Sequence, residues 1–478
     1  MYSNGDWRVS GFLSGPVNYY LPVIAANLSE LVNGEQLGLT QFTIASRILS
    51  ICLISSLSVI FIYSAADILG GRTTALVASS VFTISPMVLG NSRVHYPDHY
   101  IIVFSAWVLY LSLKILLDGR RRSFYILGGI AVGLAAAVKY NGILLFAPLG
   151  LAHLLTYRDG SALERSKLFV RDYKLLIYLA VCSGLVFFVL NWSARERLEL
   201  FVRDFQTNIS NYEGGGRWLE TTNGYLFYAS VLGLLSFGIL AVIPYFLGLI
   251  SLIRKRPHLS ALLVILPILL ALSLGGYKRV TVRNMVMALP WLILILTVGL
   301  QALADWARSQ KNLTARIGCY LLLACCFVEP ITKTAVALTR DFAIDSRIKA
   351  GEWMEGNLTP GTVISAAWTC SYPLVDNSRF TVKEVYPPFT REGLASEPCS
   401  RYVIVDSWFH WNSFEGLQGR MFTEPVHANI HFINPSGFRY ELERNKQEEA
   451  SRYLMLVKRF SGYGPEVELY WVDPAVCF

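Results

Sequence analysis

The stretch GNSRVHYPDHYIIVF, residues 90–104, decides how this chain is read. An arginine, two histidines, a proline and an aspartate stand between two runs that are each apolar enough to cross a bilayer. Outward from it the pattern repeats. Apolar runs fall at roughly 45–69, 73–92, 100–117, 124–140, 142–157, 175–193, 225–253, 259–276, 284–304 and 315–337. Each approaches or exceeds the length a helix needs to span hydrocarbon, so about ten transmembrane helices are expected. With 53% hydrophobic and 16% charged residues in 478, a water-soluble chain would have too little polar surface, and a polytopic membrane protein is the reading that fits.

After residue 340 the hydropathy collapses. "DSRIKAGEWMEGNLTPGTVISAAW" reads as a short amphipathic helix, a Pro-Gly turn and a strand, and "RYVIVDSW" (401–408) as a second strand. The expected fold class is an α-helical polytopic membrane protein with a small carboxy-terminal α/β domain. Its parts are a juxtamembrane, extracytoplasmic segment (1–44), a transmembrane domain (45–340) and an extracytoplasmic α/β domain (341–478).

Basic residues in the connections set the orientation. Arg72, "DGRRR", Arg158, Arg165, Lys167, Arg171, Lys174, "RKR" at 254–256, Arg308, Lys311 and Arg316 mark the cytoplasmic side. The other side carries Arg93, Lys139, four arginines within 194–224, and Lys278, Arg279 and Arg283, a sparser set. On this assignment the amino terminus, residues 90–99, the 194–224 loop, the 277–283 loop and the carboxy-terminal domain share the extracytoplasmic side. The net charge of +8 lies in short loops where it meets lipid phosphates, so no nucleic-acid partner is expected.

Five of the eight cysteines (52, 182, 319, 325 and 326) lie in spans, and Cys370, Cys399 and Cys477 lie in the tail. No CxxC or Cys/His ligand spacing occurs, so no metal ligand set is expected, and metal dependence stays open. In an oxidising compartment Cys370 and Cys399 can pair, although three tail cysteines cannot all do so.

Asp98 follows Pro97 at a helix start, where exposed N–H groups favour a carboxylate. It reads either as a helix cap or as a catalytic carboxylate that takes a proton from an acceptor hydroxyl. His95 and His99 read as assisting groups or as ordinary interfacial hydrogen bonders. Lys139, ending an apolar span, either snorkels to the interface or meets an anion there. Lys278, Arg279 and Arg283 cluster on the side that positive charge avoids, which suits either a phosphate-binding patch or interface anchoring. In the 194–224 loop, Gly214 to Gly216 stand beside Tyr212, Arg217, Trp218 and Glu220. No strand precedes those glycines and no Lys-Ser/Thr follows, so the loop reads as a cover over a sugar or lipid head group and not as a nucleotide site.

The succession "GPVNYYLPVIA", "SPMVLGNSRVHYPDHYIIVFSAW", "YILGGIAVGLAAAVKYNGILLFAPL", "RNMVMALPWLILI" and "DSRIKAGEWMEGNLTPGTVI" resembles bacterial membrane glycosyltransferases of the protein O-mannosyltransferase and aminoarabinose-transferase type. These belong to the glycosyltransferase-C superfamily. The resemblance covers nearly the whole chain in order. It implies an enzyme that takes a sugar from a polyprenyl-phosphate carrier and passes it, with inversion, to an extracytoplasmic hydroxyl on protein, lipid or glycan. No further cofactor is implied, the location is a bacterial inner membrane, and the partners are the carrier, the acceptor and, in some assemblies, other membrane subunits.

By position, Asp98 matches the family's acidic residue after the serine-proline span, and Arg93 the basic residue before it. Lys139 and Tyr140 match a Lys-Tyr pair, Arg283 the arginine near the carrier phosphate, and Arg47 the arginine at the start of a span. Tyr19 and Tyr20 match the juxtamembrane aromatic pair. The resemblance thus implies donor-phosphate contacts from Arg283, Arg279, Lys278, Lys139, Arg93 and Arg47. Sugar or acceptor contacts fall to His95, Tyr19, Tyr20, Tyr140, Arg217 and Trp218.

One departure stands out: the family's first span and the acidic pair in its first outer loop have no counterpart, and Asp6 is the only carboxylate before the aromatic pair. Three readings follow: a chain whose start is missing, a divergent member in which Asp98 or Asp6 is the base, or a non-catalytic relative within a membrane assembly. A lipid-linked glycan transporter, the rival from another class, predicts two related halves, and no internal repeat is present.

Overall fold

The structure is a computed structural model that describes residues 16–34, 48, 54–92, 97–157, 162–213, 224–225, 228, 237–277, 282–341, 346–366, 379–384, 394–396, 398–406, 452, 454–460 and 467–476. It divides into two compact units; among the described residues the first runs to Thr334 and the second begins at Ala335.

The first unit is helical: α1 (Val17–Asn33), α2 (Ser56–Ile84), α3 (Pro86–Ser92), α4 (Pro97–Asp118), α5 (Arg122–Val138), α6 (Phe146–Leu155), α7 (Ala162–Leu190), α8 (Trp192–Glu196), α9 (Leu198–Glu213), α10 (Val242–Lys255), α11 (Pro257–Gly275), α12 (Leu289–Ser309) and α13 (Leu313–Asp341). Two 3-10 segments, Tyr140–Leu145 and Val282–Ala288, lead into α6 and α12. Among the described residues five helices are long and apolar enough to cross a membrane: Asp98–Asp118, Asp172–Leu190, Pro257–Gly275, Arg283–Ser309 and Leu313–Ala335. This is an integral membrane protein. The expected pair of runs on either side of residues 70–72 is α2, broken at Gly71, whose φ of 77° and ψ of −175° no helix contains. Within the expected run at 225–253, α10 starts at Val242, after Gly238 with φ 88° and a 3-10 turn at Ile239–Ala241.

Lipid tails are as apolar as leucine, so burial in a membrane gives helices little reason to associate, and close approach of small residues takes over. Gly129 and Gly133 put one bare face of α5 against α7. A Cβ on Gly129 would stand 2.5 Å from the Leu179 carbonyl oxygen, and one on Gly133 2.7 Å from that of Ser183. Likewise α10 and α12 touch backbone to backbone, a Cβ on Gly299 falling against the Pro244 carbonyl oxygen. The centre of the unit is α4 with α12: Trp291, Tyr100, Ile101 and Leu109 are fully buried. Polar bonds lock that contact, since Ser105 Oγ donates to the Met287 carbonyl at 2.6 Å and accepts from Trp291 Nε1 at 2.9 Å.

The second unit packs α14 (Ser346–Asn357) on a five-stranded sheet of order β2-β1-β3-β5-β4, with β1 (Val363–Ala366), β2 (Thr381–Glu384), β3 (Tyr402–Asp406), β4 (Leu454–Phe460) and β5 (Val467–Val472). β1 is parallel to β2 and β3, whereas β5 is antiparallel to β3 and β4. Alternation along β3 sends Ile404 to the α14 face with Met354, Ile364 and Leu469, and Val403 to the opposite face with Leu394 and Val476. Cys399 is disulfide-bonded, while Cys182, Cys319, Cys325 and Cys326 are free. The sheet has three strands beyond the two expected.

Candidate active site

Three residues far apart in sequence meet at one end of the helical unit. Asp98 occupies the first turn of α4 and its side chain is only 3% exposed. Lys139 lies just past the end of α5, in extended conformation (φ −150°, ψ 126°), where the chain turns into the 3-10 segment. That turn is tight: Gly142 N–H donates to the Lys139 carbonyl at 2.8 Å, and a Cβ on Gly142 would lie 2.5 Å from the Ala135 carbonyl oxygen. Arg283 comes from the 3-10 segment before α12. Lys139 Nζ donates to Asp98 Oδ1 at 2.8 Å, and Arg283 Nε stands 3.9 Å from Asp98 Oδ2. A second bond from Lys139 Nζ, 3.0 Å long, reaches Oδ1 of the buried Asn284.

The electrostatics favour this placement from both sides. A carboxylate in the first turn of a helix faces unbonded N–H groups, and an ammonium past a helix end faces unbonded carbonyls. The same placement concentrates charge: two cations share one carboxylate and leave one positive charge in excess, in a site where Lys139 and Arg283 side chains are 21% and 22% exposed. At an effective dielectric of about 20, an anion about 4 Å from that excess charge gains about 4 kcal/mol.

Other expected residues fall elsewhere. The Tyr140 ring meets Phe201 at 5.9 Å and Phe205 at 5.5 Å, both edge to face, so it packs on α9. Tyr20 is buried in a small cluster with Ala194, Leu190, Leu200 and Phe201. His99 is buried, its ring centroid 3.7 Å from that of Tyr100. Asp6, Arg47, Arg93, His95, Arg217, Trp218, Lys278 and Arg279 lie outside the described residues, as does the Tyr19 side chain. Among the described residues no group of three or more His, Cys, Asp or Glu side chains is arranged to hold a metal. Sequence reasoning missed Asn284; its position next to Arg283 was the only available signal.

The fold is similar to that of solved membrane glycosyltransferases. Residues 36–192 match the sequence model of the dolichyl-phosphate-mannose-protein mannosyltransferase family. ArnT from Cupriavidus metallidurans in the apo state superposes with a TM-score of 0.54 at 14% identity, over 98% of this chain and 91% of that one. The same protein bound to undecaprenyl phosphate gives 0.53 at 15% identity, with the same coverage. The oligosaccharyltransferase AglB from Archaeoglobus fulgidus, in complex with an inhibitory peptide and a dolichol-phosphate, gives 0.50 at 13% identity, over 95% of this chain and 66% of that one. A search of curated proteins finds no significant match.

Proposed function

We propose that this protein transfers a sugar from a polyprenyl-phosphate carrier to an extracytoplasmic hydroxyl, and that Lys139 and Arg283 bind the carrier phosphate. The observation that carries this reading is the pair of cations within 4 Å of one buried carboxylate at the end of a membrane helix. ArnT binds undecaprenyl phosphate and AglB a dolichol-phosphate, which supports the same class of donor here.

In the transfer, the acceptor oxygen bonds to the sugar C1 as the C1–O bond to phosphate breaks. The bonding pair leaves on the phosphate, the hydroxyl proton goes to a general base, and C1 inverts. The leaving phosphate gains a second negative charge, which the excess positive charge at Lys139 and Arg283 stabilises most where it develops. Asp98 acts in this reading as a positioning residue. Both of its oxygens face the two cations, so it holds them for the phosphate; the expectation that it is itself the base gives way to that role, and the base is assigned to no described side chain. The disulfide at Cys399 supports an oxidising, extracytoplasmic surrounding for the carboxy-terminal unit.

The test uses the full chain in nanodiscs with a panel of polyprenyl-phosphate hexoses and pentoses, following release of polyprenyl phosphate. Release that falls at least about tenfold in Lys139→Ala and Arg283→Ala is the expected result. Carrier that binds without release from any donor would replace this reading with a non-catalytic, carrier-binding subunit. Absence of both binding and release would overturn it altogether.

A further inference from the structure

A second charged site lies at the opposite ends of the same helices. From Asp98 to Asp118, α4 covers about 30 Å at 1.5 Å per residue. At its far end, Arg120 in the turn to α5 donates through Nη1 to Asp172 Oδ2 and lies over the Tyr157 ring, 4.7 Å from its centroid. Tyr157 Oη donates to the same Asp172 oxygen at 3.3 Å. Behind them Tyr125 Oη meets His153 Nδ1 at 2.7 Å, a fully buried bond that fixes the wall. Arg122 lies over the Tyr178 ring at 4.2 Å. Beside the Arg120–Asp172 pair an open cavity of about 450 Å³ is lined by Arg120, Asp172, Lys174, Leu175 and Tyr178.

Three features give this cavity a ligand chemistry. Arg120 and Lys174 line the cavity with one carboxylate, Asp172, and Arg122 adds a further cation beside it, over the ring of the lining Tyr178, so the surroundings are cationic. Lys174 is also the last charged residue before the apolar run 175–193 of α7, so the cavity sits at the membrane boundary. Finally, an apolar stripe climbs α7 away from the cavity: Ile177, Val181, Leu185 and Phe188 are 47%, 51%, 61% and 73% exposed, at the spacing that puts them on one helix face. A phosphate seated at Lys174 and Arg122 would place its acyl chains along that stripe.

We infer that this cavity binds the phosphate of an anionic phospholipid, held by Lys174 and Arg122 with its chains on α7. Topogenic arginines alone require neither a preformed cavity nor guanidinium groups fixed on tyrosine rings; both reduce the ordering needed when a phosphate binds. The site is separate from the proposed carrier site and does not depend on that assignment.

The experiment titrates delipidated full-length protein in detergent with phosphatidylglycerol, phosphatidylcholine or inorganic phosphate, reading binding by native mass spectrometry. Phosphatidylglycerol is expected to bind at least about tenfold more tightly than phosphatidylcholine. The double variant Arg122→Ala/Lys174→Ala is expected to abolish that preference, and Arg122→Lys/Lys174→Arg to restore it. Equal binding of the two lipids, or an undiminished preference in the double variant, would overturn the proposal. Full occupancy by inorganic phosphate at the concentrations where the lipid binds would overturn the lipid assignment and leave a soluble phosphate site. Both alanines replace solvent-reaching side chains, and an unchanged far-ultraviolet spectrum verifies that the fold persists.

Discussion

Lys139 donates to Asp98 across 41 positions of sequence, at 2.8 Å, with Arg283 closing on the other carboxylate oxygen. Asparagine caps helices about as well as aspartate, so Asp98→Asn separates a capping role from a charged one. A cap predicts no change. If Asp98 holds the cations, kcat is expected to fall roughly a hundredfold through lost orientation. The donor KM should not rise, because the positive excess at the phosphate grows. Steady-state kinetics in nanodiscs reads the split.

Coupling between the same residues gives a second prediction. Asp98→Asn/Lys139→Ala is expected to lose less activity than the product of the two single losses, since each single change already breaks the Lys139–Asp98 pair. Losses that simply multiply would show that Asp98 acts independently of Lys139, as a base would.

The bare face of α5 predicts an asymmetry among glycines. Gly133→Val is expected to destabilise the helical unit by about 2 kcal/mol or more, because its Cβ meets the Ser183 carbonyl at 2.7 Å. Gly184→Ala on α7, with nothing within 4 Å of the added carbon, should be neutral or slightly stabilising. Thermal melts of the purified variants compare the two.

Ser105 offers a test of how the site is braced. Ser105→Ala leaves the Met287 carbonyl and the Trp291 indole N–H without the hydroxyl that joins them, at a cost of about 1–3 kcal/mol. Arg283 and Asn284 sit one turn before Met287, so carrier affinity should weaken together with the melting temperature. Unchanged carrier affinity at a lowered melting temperature would confine Ser105 to packing.

Reduction tests the carboxy-terminal unit. Incubating the full chain with a phosphine reductant should expose Cys399 to alkylation and lower the stability of that unit by about 2–4 kcal/mol. Cys399→Ser should start at the lower value and respond no further to reductant.

The helical membrane class was legible because apolar run length is a direct physical requirement of the bilayer. Asp98, Lys139 and Arg283 were legible for the related reason that charge in such a chain is costly and therefore conspicuous. Asn284 was not, because an uncharged amide beside an arginine carries no such cost signal. Tyr20 and Tyr140 were read as substrate contacts from their place in a motif, yet their surroundings are hydrophobic partners on α7, α8 and α9 that lie more than 50 residues away in sequence. In the second unit only β1 and β3 were anticipated. The pair LMLVKRF and VELYWV, separated by six residues that include two glycines and a proline, carried a hairpin signal; β2 is too short and polar for one. The Arg120 turn was read only for its topological charge, since its partner Asp172 arrives from another helix 52 positions on.

Gly71 makes α2 two rods with one hinge pin. Its backbone angles belong to glycine alone, and Arg256 clasps the end of the first rod by donating to the Leu69 carbonyl at 3.2 Å. The second rod runs to Ile84, and α3 follows from Pro86. The direction of the second rod is thus set by a residue with no side chain. A methyl group at that pin would turn the second rod aside without touching anything around it.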